Sequence, residues 1–264
     1  MSDKKGSNEN LTVFPIPAFT DNYIWCIHNG DACWVVDPGE AKPVLEFIQA
    51  NNLRLTGILV THHHYDHTDG ILPLLAQVPG IPVLGPEYGN IKGLTDKLIE
   101  GSRVKLANLG LELEVLEVPG HTLDHIAFYG ENMLFCGDTM FSAGCGRLFE
   151  GTPQQMHESL GKLMKLPAQT KVYCTHEYTL ANVNFALQVE PHNKALQAYS
   201  YWANEQRSQG KPTLPSNIEQ QKAINPFLRA QQDEIKHNAE EFVGKKLSNE
   251  TDVFAAVRQW KDNF

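Results

Sequence analysis

The sequence predicts an α/β chain in two parts. Residues 11–180 read as two β-sheets packed face to face with helices outside, and residues 181–264 as a smaller all-helical domain. Three observations predict this. Short apolar runs broken by turn residues recur from Leu11 to Cys174, in two similar halves with helical stretches between them. No convincing strand pattern appears after about Leu180, where helical spacing takes over. Metal-binding residue types stand directly after several of the apolar runs, the place where open α/β sheets hold their ligands.

In chain order, Leu11 to Ile16, Tyr23 to His28 and Cys33 to Val36 read as strands, with Asn29-Gly30-Asp31 as a hairpin turn. Asp37-Pro38-Gly39 ends the third. Asp37 reads equally as a turn former and as a support for a metal ligand. Ala41 to Asn51 has helical spacing, with Val44, Phe47 and Ile48 on one face. Gly57 to Val60 is a buried strand, and a helix is expected to begin near Asp69. Pro82 to Gly85, Leu111 to Val118, Ile126 to Tyr129, Met133 to Cys136 and Lys171 to Cys174 complete the strands. Thr152-Pro153 supplies an N-cap and a first-turn proline for a helix reaching about Leu166. Beyond Leu180, segments 182–190, 193–209, 217–223, 231–245 and 249–261 suit helices.

Composition narrows the function. The chain has 264 residues and a formal net charge of -9, which argues against broad binding to nucleic acid or an anionic membrane. Its five cysteines are odd in number and lack C-x-x-C spacing, as expected of reduced thiols in a cytoplasmic protein. Met1 to Asn10 is polar and is expected to form a disordered tail rather than a signal peptide or anchor. No apolar stretch approaches the roughly 20 residues needed to span a bilayer.

The chemistry centres on Thr61-His62-His63-His64-Tyr65-Asp66-His67, directly after the strand Gly57 to Val60. In an extended segment His62 and His64 point to one side. Asp66 and His67, past a bend, can then face a second point, so two neighbouring metal ions are expected rather than one closed structural site. Three more ligand-type residues follow strands: His121 after Leu111 to Val118, Asp138 after Met133 to Cys136, and His176 after Lys171 to Cys174. Seven candidates in this arrangement exceed what chance strand-end histidines supply. Imidazole and carboxylate accept zinc, iron or manganese.

The motifs T-H-x-H-x-D-H, G-H-T, G-D-T and T-H-E-Y resemble the metallo-β-lactamase superfamily. The stretches F-S-A-G-C-G-R-L-F-E-G (Phe141 to Gly151), V-E-P, N-P-F-L-R and the terminal R-Q-W-K-D resemble its glyoxalase II family over nearly the whole chain from Leu11. The resemblance implies an αββα sandwich followed by the helical domain. It implies that His62, His64 and His121 hold one metal, that Asp66, His67 and His176 hold the other, and that Asp138 bridges them, with zinc the first choice. His63, Tyr65 and His125 match no ligand position. It implies hydrolysis of S-(2-hydroxyacyl)glutathione, chiefly S-lactoylglutathione. The nucleophile would be a metal-bridging hydroxide oriented by Asp66 and Asp138. The implied substrate grip is Arg147, Phe149, Tyr178, Arg258 and Lys261. The implied partner is this small-molecule thioester alone, with the protein a monomer.

Three positions depart from the family pattern: Asp69 and Asp124 stand where glycine is usual, and Phe149 where tyrosine is frequent. Arg258 and Lys261 also read, on spacing alone, as a solvated helix face. Cys145 lies between glycines, and a nucleophilic role for it is not expected. Other substrates for the same site are lactones, β-lactams or a persulfide oxidised at a single iron, and both Asp66 and His67 favour two metals over that last. A metal-binding module without turnover is the non-enzymatic alternative.

Overall fold

The computed structural model describes residues 11–264, and the tail expected over residues 1–10 lies outside the described residues. Strands β1 (Thr12–Ala18), β2 (Asn22–His28) and β3 (Ala32–Val36) form an antiparallel meander. Helix α1 (Ala41–Ala50) crosses to β4 (Arg54–Leu59), which lies parallel to β3. Two short helices, α2 (Tyr65–Thr68) and α3 (Ile71–Gln77), lead to the parallel strands β5 (Val83–Pro86) and β6 (Asp96–Leu98). These six strands make the first sheet, in chain order.

The second sheet opens with the antiparallel run β7 (Arg103–Leu106), β8 (Leu111–Glu117), β9 (Ile126–Gly130) and β10 (Met133–Gly137). A small hairpin, β11 (Met140–Phe141) and β12 (Gly144–Cys145), precedes helix α4 (Pro153–Leu163), and β13 (Lys171–Cys174) then pairs in parallel with β10. Thr152 caps α4 through a reciprocal bond with Gln155, with Pro153 in the first turn. After α5 (Thr179–Val189) and α6 (Lys194–Ser208) comes strand β14 (Ser216–Asn217), then α7 (Ile218–Ile224), α8 (Asp233–Val243) and α9 (Glu250–Asp262).

Alternation along β2 explains the layering. Trp25 and Ile27 face the second sheet, in one core with Leu113, Val115, Phe128 and Phe135. Ile24 and Cys26 face the other way, packed with Val44 of α1 and Ile71 and Leu74 of α3. Both faces of β2 and β3 are therefore covered, and both strands read as continuous apolar runs. Trp25 ties the sheets together. Its ring meets Tyr173 edge-on at 4.9 Å, and its Nε1 donates to the Cys174 carbonyl at 3.0 Å.

One expectation holds and one changes. The helix expected to begin near Asp69 is α3, preceded by the unexpected four-residue α2, and between them the Gly70 amide donates to the Pro38 carbonyl (2.9 Å). The region after Leu180 is not wholly without strand. Ser216 and Asn217 pair with Val172 and Lys171, closing the edge of the second sheet. Two residues are too few to show a period. The edge strands β6 and β7 also escaped the sequence reading, since Asp96, Lys97, Arg103 and Lys105 dilute their apolar pattern.

Candidate metal centre

The candidate ligands come from the ends of four strands. His62 and His64 follow β4, His121 follows β8, Asp138 follows β10 and His176 follows β13, while Asp66 and His67 lie in α2. His62, His64 and His121 form a first cluster. His64 Nδ1 lies 3.2 Å from His62 Nε2 and 3.0 Å from His121 Nε2. Asp66, His67 and His176 form a second, with Asp66 Oδ2 3.7 Å from His67 Nε2 and 3.4 Å from His176 Nε2. Asp138 stands between them. Its Oδ2 is 3.5 Å from His121 Nε2 and 3.3 Å from His176 Nε2, and its Oδ1 is 3.5 Å from His67 Nε2.

The far side of four of the five ligand rings is fixed by a hydrogen bond, which decides which nitrogen faces inward. His121 Nδ1 donates to the Arg147 carbonyl (2.8 Å), His176 Nδ1 to Asp21 Oδ1 (2.8 Å) and His67 Nδ1 to Asp37 Oδ2 (3.0 Å). The Thr61 hydroxyl donates to Asp37 Oδ2 (2.7 Å) and so accepts from His62 Nδ1 (3.0 Å). Asn22 Nδ2 donates to Asp66 Oδ2 (3.0 Å). The ligand lone pairs therefore converge. Asp37, left open between two roles by the sequence, receives the Thr61 amide, the Thr61 hydroxyl and His67 while only 2% exposed.

Electrostatics follow the same plan. Burial holds His62 well below the usual imidazole range and lowers His64 and His121, so the first cluster offers neutral nitrogens. Burial would also lower His67 and His176, but Asp138 outweighs it and both are raised, His67 with help from Asp37. Burial opposes ionisation of Asp138, yet His176 and His67 hold its carboxyl well below the usual carboxylate range. A divalent cation bound there would compete with protons for these two rings. Two buried atoms, His67 Nε2 and Asp138 Oδ1, have no hydrogen-bond partner. Unpaired buried polar atoms at the meeting point of the nitrogen and carboxylate donors fit a binuclear metal site.

Several of these supports carried no local sequence signal. Asp21 and Asn22 look like ordinary turn residues. His125, outside the ligand set, accepts the Asp138 amide on Nε2 at 3.1 Å and so aims that carboxylate. Gly146 allows the loop after β12 to lie against the site, since a Cβ there would come within 2.1 Å of the Asp138 carbonyl. Asp124 is buried, with Oδ1 2.9 Å from His63 Nδ1, and Glu150 lies 3.5 Å from the other ring nitrogen. Its charge is thus directed to His63, whereas Asp69 is exposed.

The centre opens into a cleft of about 510 Å³ lined by His64, Asp66, Phe141, Arg147, Phe149 and Tyr178, among others. Tyr178 stacks flat on His176, ring centroids 4.6 Å apart, and Phe149 meets His64 and His121 edge-on at 5.4 and 5.3 Å. Of the five expected grip residues, Arg147, Phe149 and Tyr178 line this cleft, and Arg258 and Lys261 do not. Arg258 is 6% exposed, so the solvated-face reading does not hold for it. Its Nη1 donates to the Cys145 carbonyl (2.9 Å) and its Nη2 to Asp262 Oδ1 (2.9 Å). Asp262 Oδ1 also accepts from Arg147 Nε at 3.3 Å, so one carboxylate joins the two arginines. Lys261 Nζ lies over the Phe185 ring, 5.1 Å from its centroid, and donates to the Ala181 carbonyl at 3.4 Å.

Comparison with known proteins adds two family matches. Residues 19–176 match the metallo-beta-lactamase superfamily, and residues 177–264 match the hydroxyacylglutathione hydrolase C-terminus. The hydroxyacylglutathione hydrolase of Nitrosomonas eutropha is 52% identical over 96% of this chain and 99% of its own length. That of Idiomarina loihiensis is 51% identical over 96% and 100%. Among solved structures, ETHE1 from Myxococcus xanthus superposes with a TM-score of 0.62 at 23% identity, covering 95% of this chain and 97% of its own. A metallo-beta-lactamase from Staphylococcus aureus gives 0.61 at 18% identity, covering 97% and 72%. At these identities the structural likeness speaks for the fold.

Proposed function

The chain belongs to the metallo-β-lactamase superfamily and, within it, to the hydroxyacylglutathione hydrolases, and on that premise we propose that it hydrolyses S-(2-hydroxyacyl)glutathione, chiefly S-lactoylglutathione, to D-lactate and glutathione. This would be the second step of methylglyoxal detoxification, carried out in the cytoplasm by a monomer. One observation carries the reading: a single cleft has both ligand clusters and their shared Asp138 at its floor, and Arg147, Phe149 and Tyr178 on its wall.

His62, His64 and His121 would hold one metal, Asp66, His67 and His176 the other, and Asp138 both. Zinc suits this nitrogen and oxygen donor set, and iron or manganese is accepted by the same atoms. When bound, two such cations supply a water acidified toward neutral pH and a Lewis acid for the thioester oxygen. The chain's own residues do the rest. Asp66 or Asp138 would accept the one hydrogen bond of the attacking hydroxide, the water's other proton having gone to solvent, and keep its lone pair toward the carbonyl carbon. Phe141 and Phe149 screen the thioester from bulk solvent. Breaking the C–S bond releases a thiolate, a stable enough anion near neutral pH to leave without a positioned acid.

The glutathione carboxylates need cations on a chain of net charge -9. Arg147 engages Asp262 through Nε, which leaves its terminal nitrogens as a fork for a carboxylate. Burial pushes the Tyr178 phenol up, so it remains a hydroxyl donor at neutral pH. Arg258 and Lys261 act from behind the cleft. With Arg147 they set three cations against the Asp262 carboxylate and make this end of α9 attractive to anions.

The test is hydrolysis of S-D-lactoylglutathione with metal content measured on the same sample. Turnover with about two metals per chain, lost in His121→Ala, is expected. A sample holding two metals that leaves the thioester intact would overturn the substrate assignment and direct the search to lactones and β-lactams.

A further inference from the structure

Asp37 serves both clusters, His67 directly and His62 through the Thr61 hydroxyl, but the remaining supports come from different parts of the fold. The first cluster is aimed from inside the catalytic loops, by the Thr61 hydroxyl on His62 and the Arg147 carbonyl on His121. Two of the three ligands of the second are aimed from one short turn that leads from β1 into the first residue of β2. Asp21 Oδ1 receives His176 Nδ1 at 2.8 Å, and Asn22 Nδ2 donates to Asp66 Oδ2 at 3.0 Å. The turn is pinned to the same neighbourhood by its backbone. Asn22 bridges His176, the Glu177 amide donates to the Asp21 carbonyl (2.9 Å), and the Tyr23 amide donates to the Thr175 carbonyl (2.6 Å). The side-chain hydrogen bonds of Asp21 and Asn22 go to His176 and Asp66, and not to His62, His64 or His121.

We propose that Asp21 and Asn22 are positioning residues for the second metal alone, so that this turn sets its affinity independently of the first. The physical reason is ligand orientation. A carboxylate behind His176 keeps the proton on Nδ1, leaves the Nε2 lone pair free and raises the ring's basicity. The Asn22 amide fixes Asp66 Oδ2 and leaves Oδ1 unconstrained. Asp21 is partly exposed, with its side chain 35% accessible, so replacing it changes the ligand more than the core. The inference rests on the binuclear reading of the centre and not on the thioester as substrate.

The experiment strips the full chain with a chelator and titrates it with cobalt(II), reading the two stepwise binding constants from absorption and from dialysis. Wild type, Asp21→Asn and Asn22→Ala are compared, the first two also in His121→Ala and His176→Ala backgrounds. In either turn variant one constant should weaken about 10–100-fold, the usual effect of losing a ligand's orienting partner, while the other holds. Asp21→Asn should weaken the site left by His121→Ala and leave unchanged the one left by His176→Ala. Equal weakening of both constants, no change in either, or an effect that persists with His176→Ala would overturn the proposal. A wild type that binds fewer than two ions would overturn the binuclear reading beneath it.

Discussion

Arg258→Ala separates a residue that grips substrate from one that holds the grip in place. The guanidinium is 6% exposed and makes two charge-assisted bonds, to the Cys145 carbonyl and to Asp262, each 2.9 Å long. Such bonds contribute about 1.5–3 kcal/mol each when buried. The Asp262 side chain is 33% accessible, which puts its bond at or below the low end. The variant also loses the stacking of Arg258 over Phe227, 5.2 Å from the ring centroid, and leaves the Cys145 carbonyl unpaired. A loss of about 3 kcal/mol follows, and for a chain of this size it lowers the melting temperature by roughly 6–12 °C. KM for the thioester should rise as well, because Asp262 no longer has Arg258 to steady it against Arg147. Arg258→Lys, able to keep one of the two bonds, should fall between. Thermal unfolding by circular dichroism and steady-state kinetics on the same preparations read both effects. An alanine variant melting within about 2 °C of wild type but with a raised KM would refute the reasoning and make Arg258 a direct substrate ligand.

Asp37→Asn should weaken metal retention about 10–100-fold in a chelator competition, since its amide would donate where Thr61 and His67 now donate, reversing the proton positions on His62 and His67; unchanged retention would remove Asp37 from the metal centre's support. Phe149→Tyr, at a side chain 61% exposed in the cleft, should lower KM about 2–10-fold at constant kcat by restoring one hydroxyl donor, and a fall in kcat would count against that role. Burial pushes the Cys145 thiol up to about 11, so iodoacetamide at pH 7.5 should leave turnover intact and Cys145→Ser should remain active; stoichiometric inactivation would reinstate the thiol as a participant.

Most of the fold was legible because its signals are local. The apolar runs at β2, β3 and β10, the alternation in β8 and the Thr152-Pro153 cap are each set by residues within a turn or a strand of one another. The short charged strands β6 and β7 and the two-residue β14 fell below that threshold. The four-residue helix α2 is likewise too short to show a helical period.

The site divides along the same line. Strand ends followed by histidine and aspartate were enough to nominate the donors, because a strand delivers its successors to one edge of the sheet whatever the rest of the chain does. Which nitrogen each ring presents depended on Asp21 for His176, Asp37 for His67 and the Arg147 carbonyl for His121. Helical spacing put Arg258 and Lys261 on one face of α9, and only packing against Cys145, Phe227 and Phe185 decided that this face turns inward. Residue type and period determine which groups an element can offer. Tautomer, burial and charge pairing are fixed by atoms brought close from far along the chain, and those contacts have no local sequence signature.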